Sequence, residues 1–295
     1  MEHKNKGKKQ RGLIYLGFLL LFLIGLTVTI GMCLWEMQKD NRAQQDLEQL
    51  RDKYVVEEDD TQGVLPANTD ETVDELMKEW KIKIPKRKID WKALQKENPD
   101  IYAWLYVPGT NIDYPILQHP KEDNYYVDHN LDGSTGYPGC LTTQKSYNSK
   151  DFLDANTCIY GHNMKNGSMF HDLHGFADEA FFQKTRYAYV YLPDATYAYE
   201  IFAAYTFSDV LIPAAYDFSS YRGFKAYLEE IFAIRGMDSH FRKEISVTAK
   251  NHIITFSTCL KNSDHNYRWL VQAVMLNDPT LSAEELRKTL QRKTE

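Results

Sequence analysis

The spacing of apolar residues changes character several times along this chain, and each change predicts a different element. From Gly12 to Trp35 the chain runs through twenty-four residues without a charge. At about 1.5 Å per residue, a helix of that length crosses a hydrocarbon core of about 30 Å. Glu36 to Asp60 is polar and rich in helix formers, with no broad apolar face, which predicts a solvated helical stalk. Thr61 to Asp70 contains Gly63 and Pro66 and reads as a flexible joint. Two short helices follow, one over Glu71–Trp80 and one behind Asp90 as N-cap, closed by Pro99.

From Ala103 onward the pattern becomes short apolar runs between turn residues: 103–107, 114–117, 140–143, 157–161, 187–192, 198–207, 244–249, 252–258 and 268–276. Their number and length predict eight or nine strands, and many short strands hide their edges by closing into a barrel or sandwich. One interruption has helical period: Phe224, Tyr227, Leu228, Ile231 and Phe232 lie on one face, between Ser219-Ser220 and the stop at Gly236. The chain thus divides into a tail (1–11), an apolar span (12–35), a stalk and linker (36–70) and a mainly β body (71–295). The 20 Tyr and 14 Phe suit that β-rich body.

Charge gives the span a direction. The first twelve residues carry five basic side chains against one acid, a balance of +4, whereas the whole chain has a net charge of −6. The positive-inside rule puts this tail in the cytoplasm and everything after Trp35 outside. The apolar run is too long for a cleaved signal peptide, and no small-residue cleavage site follows it, so an uncleaved anchor is expected. The acidic remainder argues against a nucleic-acid partner.

Export changes the meaning of the cysteines. Cys33 lies in the span, while Cys140, Cys158 and Cys259 lie in the exported part, where three thiols cannot all pair. Cys140 and Cys158 are either a disulfide or two buried thiols. Cys259 ends the apolar run 252–258 beside the polar loop LKNSDHNY, where a rigid strand can present a nucleophile. Arg268 opens the next strand, so its guanidinium can face Cys259 across a hairpin and stabilise a developing oxyanion. His162, at the end of Cys158-Ile159-Tyr160-Gly161, offers a proton donor and acceptor. His265, beside Asp264, is an alternative base by proximity to Cys259. His171 and His174 form an H-x-x-H pair without a third ligand, so no metal and no cofactor is expected. Phosphate-loop, dinucleotide-loop and zincin motifs are absent from the sequence.

Thr255-Phe256-Ser257-Thr258-Cys259, with Arg268 downstream and Tyr160-Gly161-His162-Asn163-Met164 upstream, resembles the T-L-x-T-C signature and catalytic set of the sortases. Ser257 and the stretch IDWKALQKENPDIYAWLYVPGTNIDYPILQ resemble class B sortases in particular, over residues 71 to 277. Phe256 stands where the family usually has Leu.

The resemblance implies an eight-stranded β-barrel with N-terminal helices and an inserted helix at 219–235. It implies Cys259 as nucleophile, His162 as acid and base, and Arg268 as oxyanion stabiliser, with Ser257, Thr258 and Asn163 as substrate contacts. The implied partners are exported proteins with a C-terminal sorting signal of the Asn-Pro-x-Thr type. The acceptor would be a peptidoglycan-precursor amine of the lipid II type, or a pilin amine. A membrane-tethered cysteine peptidase and a non-catalytic envelope binding module are the alternative readings.

Overall fold

The computed structural model describes residues 2–57, 71–260 and 266–290. Its helices are α1 (Glu2–Tyr54), α2 (Glu71–Glu79), α3 (Trp91–Glu97), α4 (Tyr125–Asp128), α5 (Glu179–Lys184), α6 (Ile212–Ala215), α7 (Tyr221–Phe232) and α8 (Ala283–Thr289), with a 3-10 segment over His171–Ala177. The strands are β1 (Val55–Glu57), β2 (Arg87–Ile89), β3 (Ile101–Tyr106), β4 (Asp113–Leu117), β5 (Leu141–Thr142), β6 (Asn156–Tyr160), β7 (Tyr187–Tyr191), β8 (Thr196–Ser208), β9 (His240–Phe241), β10 (Ile253–Cys259) and β11 (Tyr267–Met275).

Eight strands close into a barrel in the order β3-β7-β8-β11-β10-β6-β5-β4. Closure comes from β11, which pairs antiparallel with β10 on one side and with β8 on the other. Only β4–β5 and β6–β10 are parallel. The alternation of side chains along the strands sorts the apolar residues into two cores. One draws on all eight barrel strands, with Leu105, Ile116, Leu141, Ile159, Val190, Tyr199, Phe256 and Val271, and is the barrel interior. The other joins outward-facing residues to Leu94 of α3 and to Phe224, Tyr227, Leu228 and Ile231 of α7.

The expected helices are present. Asp90 caps α3 by accepting from the Ala93 N–H at 3.0 Å. Ser220 caps α7 by accepting from the Gly223 N–H at 3.1 Å, and the periodic apolar face of α7 lies on the barrel as its spacing predicts. α2 braces the C-terminal helix, where Arg287 of α8 grips the Glu79 carboxylate through bonds of 2.7 and 2.5 Å.

Two segments depart from the sequence reading. The polar stretch after the span is not wholly solvated: α1 continues unbroken to Tyr54 and buries Leu47 and Leu50 to 2% and 5% exposure against the body. Two leucines one turn apart, worth about 1.5–3 kcal/mol each when buried, dock a helix that is otherwise polar. β1 then pairs with β2, and Arg87 fastens that ribbon to the barrel through Asp113 at 2.6 Å and the face of Tyr106. The joint expected at 61–70 lies outside the described residues. The second departure is 244–249, which alternates like a strand but is not one. β9 takes the neighbouring edge of β8 at Ala203 and Ala204, Glu244 turns out to Arg186, and the Ser246 N–H donates to the Thr289 carbonyl.

Candidate active site

Cys259 is the last residue of β10 and lies directly opposite Arg268 in the β10–β11 register. Directly opposed residues hold their Cβ atoms about 4.5–5.5 Å apart, so the thiol and the guanidinium rise side by side from one face. On the other flank β10 runs parallel to β6 with Ser257 beside Tyr160, and the Gly161 N–H donates to the Ser257 carbonyl at 3.2 Å. Two residues further along stand Cys259, the last residue of β10, and His162, just past the end of β6. Three adjacent strands therefore end or begin at one edge of the barrel and carry His162, Cys259 and Arg268 in that order.

The face they share is fixed by parity. Thr255 and Gln272, four residues below Cys259 and above Arg268, belong to a buried polar rung: Thr255 donates to Asn156 Oδ1 at 2.7 Å, and Gln272 donates to Thr255 Oγ1 at 2.8 Å and to the Tyr227 hydroxyl at 2.7 Å. The Tyr205 hydroxyl donates to Gln272 Oε1 at 2.9 Å. This rung ties β6, β8, β10, β11 and α7 together beneath the site. The four bonds of this rung cross-link the elements beneath the site and so hold the groups above in place. Phe256 has the opposite parity: it is fully buried in the interior, edge-on to Phe170 at 5.6 Å, so its aromatic ring fills the barrel and does not floor a groove.

His162 is held by its surroundings. Nε2 lies 2.6 Å from the Val127 carbonyl oxygen, which can only accept, so this nitrogen carries the hydrogen and Nδ1 is left with the lone pair. The exposed ring of Tyr137 packs edge-on at 4.8 Å. Burial holds the imidazole pKa below its ordinary value, against the opposing pull of the Val127 carbonyl and the Asp128 carboxylate. Because the unfolded pKa stays near ~6.5, the unfolded chain takes up the proton first as pH falls. His162 thus contributes stability that is complete above about pH 6.5 and declines below it. Unfolding free energies measured between about pH 7 and about pH 5 should fall less steeply in His162→Asn than in wild type. Parallel curves would assign the acid sensitivity to other groups.

The residue before the histidine has no room for a side chain. A Cβ on Gly161 would lie 2.4 Å from Leu141 Cδ2 and 2.8 Å from Phe170 Cδ2. Gly161→Ala should therefore cost about 1–3 kcal/mol, read as a lowered midpoint in urea, and should reduce activity by displacing His162. Unchanged stability would show that Leu141 and Phe170 yield freely.

The other sequence candidates fall around this edge. Ser257 is buried at the His162 side of β10, and Thr258, 2% exposed, points with the interior parity and pairs in register with Trp269. Asn163 bridges to Met169 and its Oδ1 lies 3.0 Å from His171 Nδ1. His171 and His174 thus part company: His174 Nε2 donates to the Cys259 carbonyl at 2.9 Å, and its ring stacks on Trp269. The Trp269 indole N–H in turn donates to the Leu173 carbonyl at 2.7 Å, so the 3-10 segment staples both strands that carry the thiol and the guanidinium. Val127 and Tyr137 are contributors that the sequence did not single out, and His174 figures there only as half of an H-x-x-H pair. His265 and Asp264 lie outside the described residues. Cys140 and Cys158 are free thiols, both buried, and burial raises both, Cys158 to about 12. Cys259 is partly exposed.

Comparison with known proteins accounts for this arrangement. Residues 105–276 match the sortase domain family. The chain is 38% identical to sortase B of Listeria monocytogenes over 176 residues, spanning 59% of this chain and 68% of that protein. In structure it is similar to sortase B of Bacillus anthracis in complex with AAEK1, with a TM-score of 0.59 and 27% identity over 81% of this chain and 97% of the other. It is also similar to a Streptococcus pyogenes class B sortase involved in pilus biogenesis, with a TM-score of 0.54 and 27% identity over 63% and 97% of the two chains. The closed eight-stranded barrel, with a thiol and a guanidinium opposed at one edge, belongs to a chain of the sortase family of cysteine transpeptidases, class B-like.

Proposed function

We propose that this chain is a membrane-anchored transpeptidase that cuts a C-terminal sorting signal of exported proteins and joins the new carboxyl to an amine of a cell-wall precursor or pilin. The observation that carries this reading is the gathering of His162, Cys259 and Arg268 at the ends of three neighbouring strands, with Cys259 and Arg268 as direct register partners. Anchorage is supported by the one helix among the described residues that is apolar and long enough to cross a bilayer. The domains follow as a cytoplasmic tail (1–11), a transmembrane anchor (12–35), a juxtamembrane segment (36–70) and a catalytic domain (71–295) on the outer side.

In the first half-reaction the Cys259 thiol gives its proton to His162 Nδ1 as the sulfur attacks the scissile carbonyl carbon, a C–S bond forms and the C–N bond breaks. His162 delivers a proton from Nδ1 to the departing amine. In the second, the acceptor amine attacks the thioester and gives its proton to His162 Nδ1, which returns it to the sulfur as the C–S bond breaks, restoring the thiol. Arg268 holds the carbonyl oxygen as it gains charge in both steps. Asn163 and Ser257 stand at the two strand ends beside the imidazole and the thiol, while Thr258, buried with interior parity, would act on substrate only by shaping the strand end beneath it.

The test uses a fragment starting at Ala43, which keeps the docked part of α1, with quenched sorting-signal peptides and either a peptidoglycan-type amine or a lysine peptide as acceptor. Ligation that requires the amine is expected. Hydrolysis with no amine-dependent product would replace the transpeptidase by a cysteine peptidase. No cleavage of any signal peptide would favour the binding-module reading.

A further inference from the structure

The helix that crosses the membrane does not leave the body at a remote point. α1 is continuous from the span to Tyr54, and its first contacts beyond Trp35 fall on the two loops that flank His162. The Lys39 ammonium donates to the Thr135 carbonyl, in the loop that ends with Tyr137 and Gly139. Five residues later Gln44 donates to the Tyr114 hydroxyl at 3.3 Å, and that hydroxyl also accepts from the Met169 N–H at 3.3 Å, in the loop that leaves His162. Leu47 and Leu50 then fix the helix on the body.

Helical rise converts these contacts into depth. Lys39 lies about 6 Å and Gln44 about 13 Å beyond Trp35 along the axis, and any tilt of the helix shortens both. Thr135 therefore stands at about the level of the lipid headgroups. Tyr137, two residues on, is 54% exposed while its other ring edge packs on His162. A tyrosine with an apolar body and a polar tip suits the membrane–water interface, as does Trp35, which is also exposed.

The geometry points to a second contact with the bilayer: the 130–139 loop forms a rim that rests on the headgroup layer through Tyr137 and sets His162 against the membrane surface. This deepens the anchored reading above and rests on it. The rim would present the site to substrates still held in the bilayer, both the sorting signal and a lipid-linked amine. It also links the height of the body above the membrane to the packing of the acid–base histidine.

The full chain in phosphatidylcholine nanodiscs tests this with a photo-crosslinking residue, p-benzoyl-phenylalanine, in place of Tyr137, Trp35 or Met237. Met237 is the exposed control, in the loop after α7. Lipid adducts at 137, several-fold above those at 237 and comparable to those at 35, are expected. Adducts at 35 without an excess at 137 over 237 would overturn the rim and leave the anchor standing. Absence of adducts at 35 as well as 137 would overturn both.

Discussion

Cys259→Ala is expected to abolish cleavage and ligation together, a loss of more than about 10⁴-fold in turnover, with no change in the midpoint of unfolding. The substitution removes the one thiol that the described residues place at the edge where β6, β10 and β11 meet. No other thiol can take over, because Cys140 and Cys158 are buried to 2% and 1% exposure and their thiolate forms are disfavoured by burial. The fold should tolerate the change, since Cys259 ends its strand, is partly exposed and contributes only its carbonyl to the bond with His174. Peptide turnover and urea midpoints on the same preparations check both halves. Cleavage retained in the alanine variant would move the nucleophile elsewhere.

The second large effect is expected at Arg268. Loss of one oxyanion donor commonly costs about 10²–10³-fold in rate, so Arg268→Ala should fall by that factor in kcat with a smaller change in KM. Arg268→Lys should recover only part of it, because an ammonium supplies charge without the planar fork. The guanidinium is already oriented in part by the Tyr267 carbonyl, to which Nη1 donates at 3.0 Å. A change confined to KM would make Arg268 a binding residue and shift oxyanion stabilisation to backbone N–H groups near Cys259.

The sequence carries the barrel strands well, because each barrel strand is a short run bounded by turn residues, and eight of the nine expected runs fall on strands that close the barrel. The ninth, 244–249, shows the limit of alternation: a strand needs a free neighbour, and β8 spends that edge on β9. Cys259 and Arg268 were legible as a pair because a short hairpin joins them. The placing of His162 at the same edge was legible only through the family resemblance, because it depends on the parallel alignment of β6 with β10, strands far apart in the chain. Residue types alone gave His174 a metal-ligand look, whereas its bond to the Cys259 carbonyl depends on where the 3-10 segment lies. The docking of α1 was hidden because two leucines in a polar helix make no visible stripe, yet they suffice when the body offers matching apolar surface.

The same parallel alignment has a consequence for the life of the chain before it is complete. A polypeptide emerges from its N-terminus, so β6 and His162 are available early, while β10 and β11, which supply the thiol and the guanidinium, come last. Parallel partners distant in sequence form late, after their loop entropy has been met. A nascent or truncated chain therefore holds its histidine without a nucleophile beside it. Ligation is therefore expected only of chains long enough to include β11, whose pairing with β8 and β10 closes the ring.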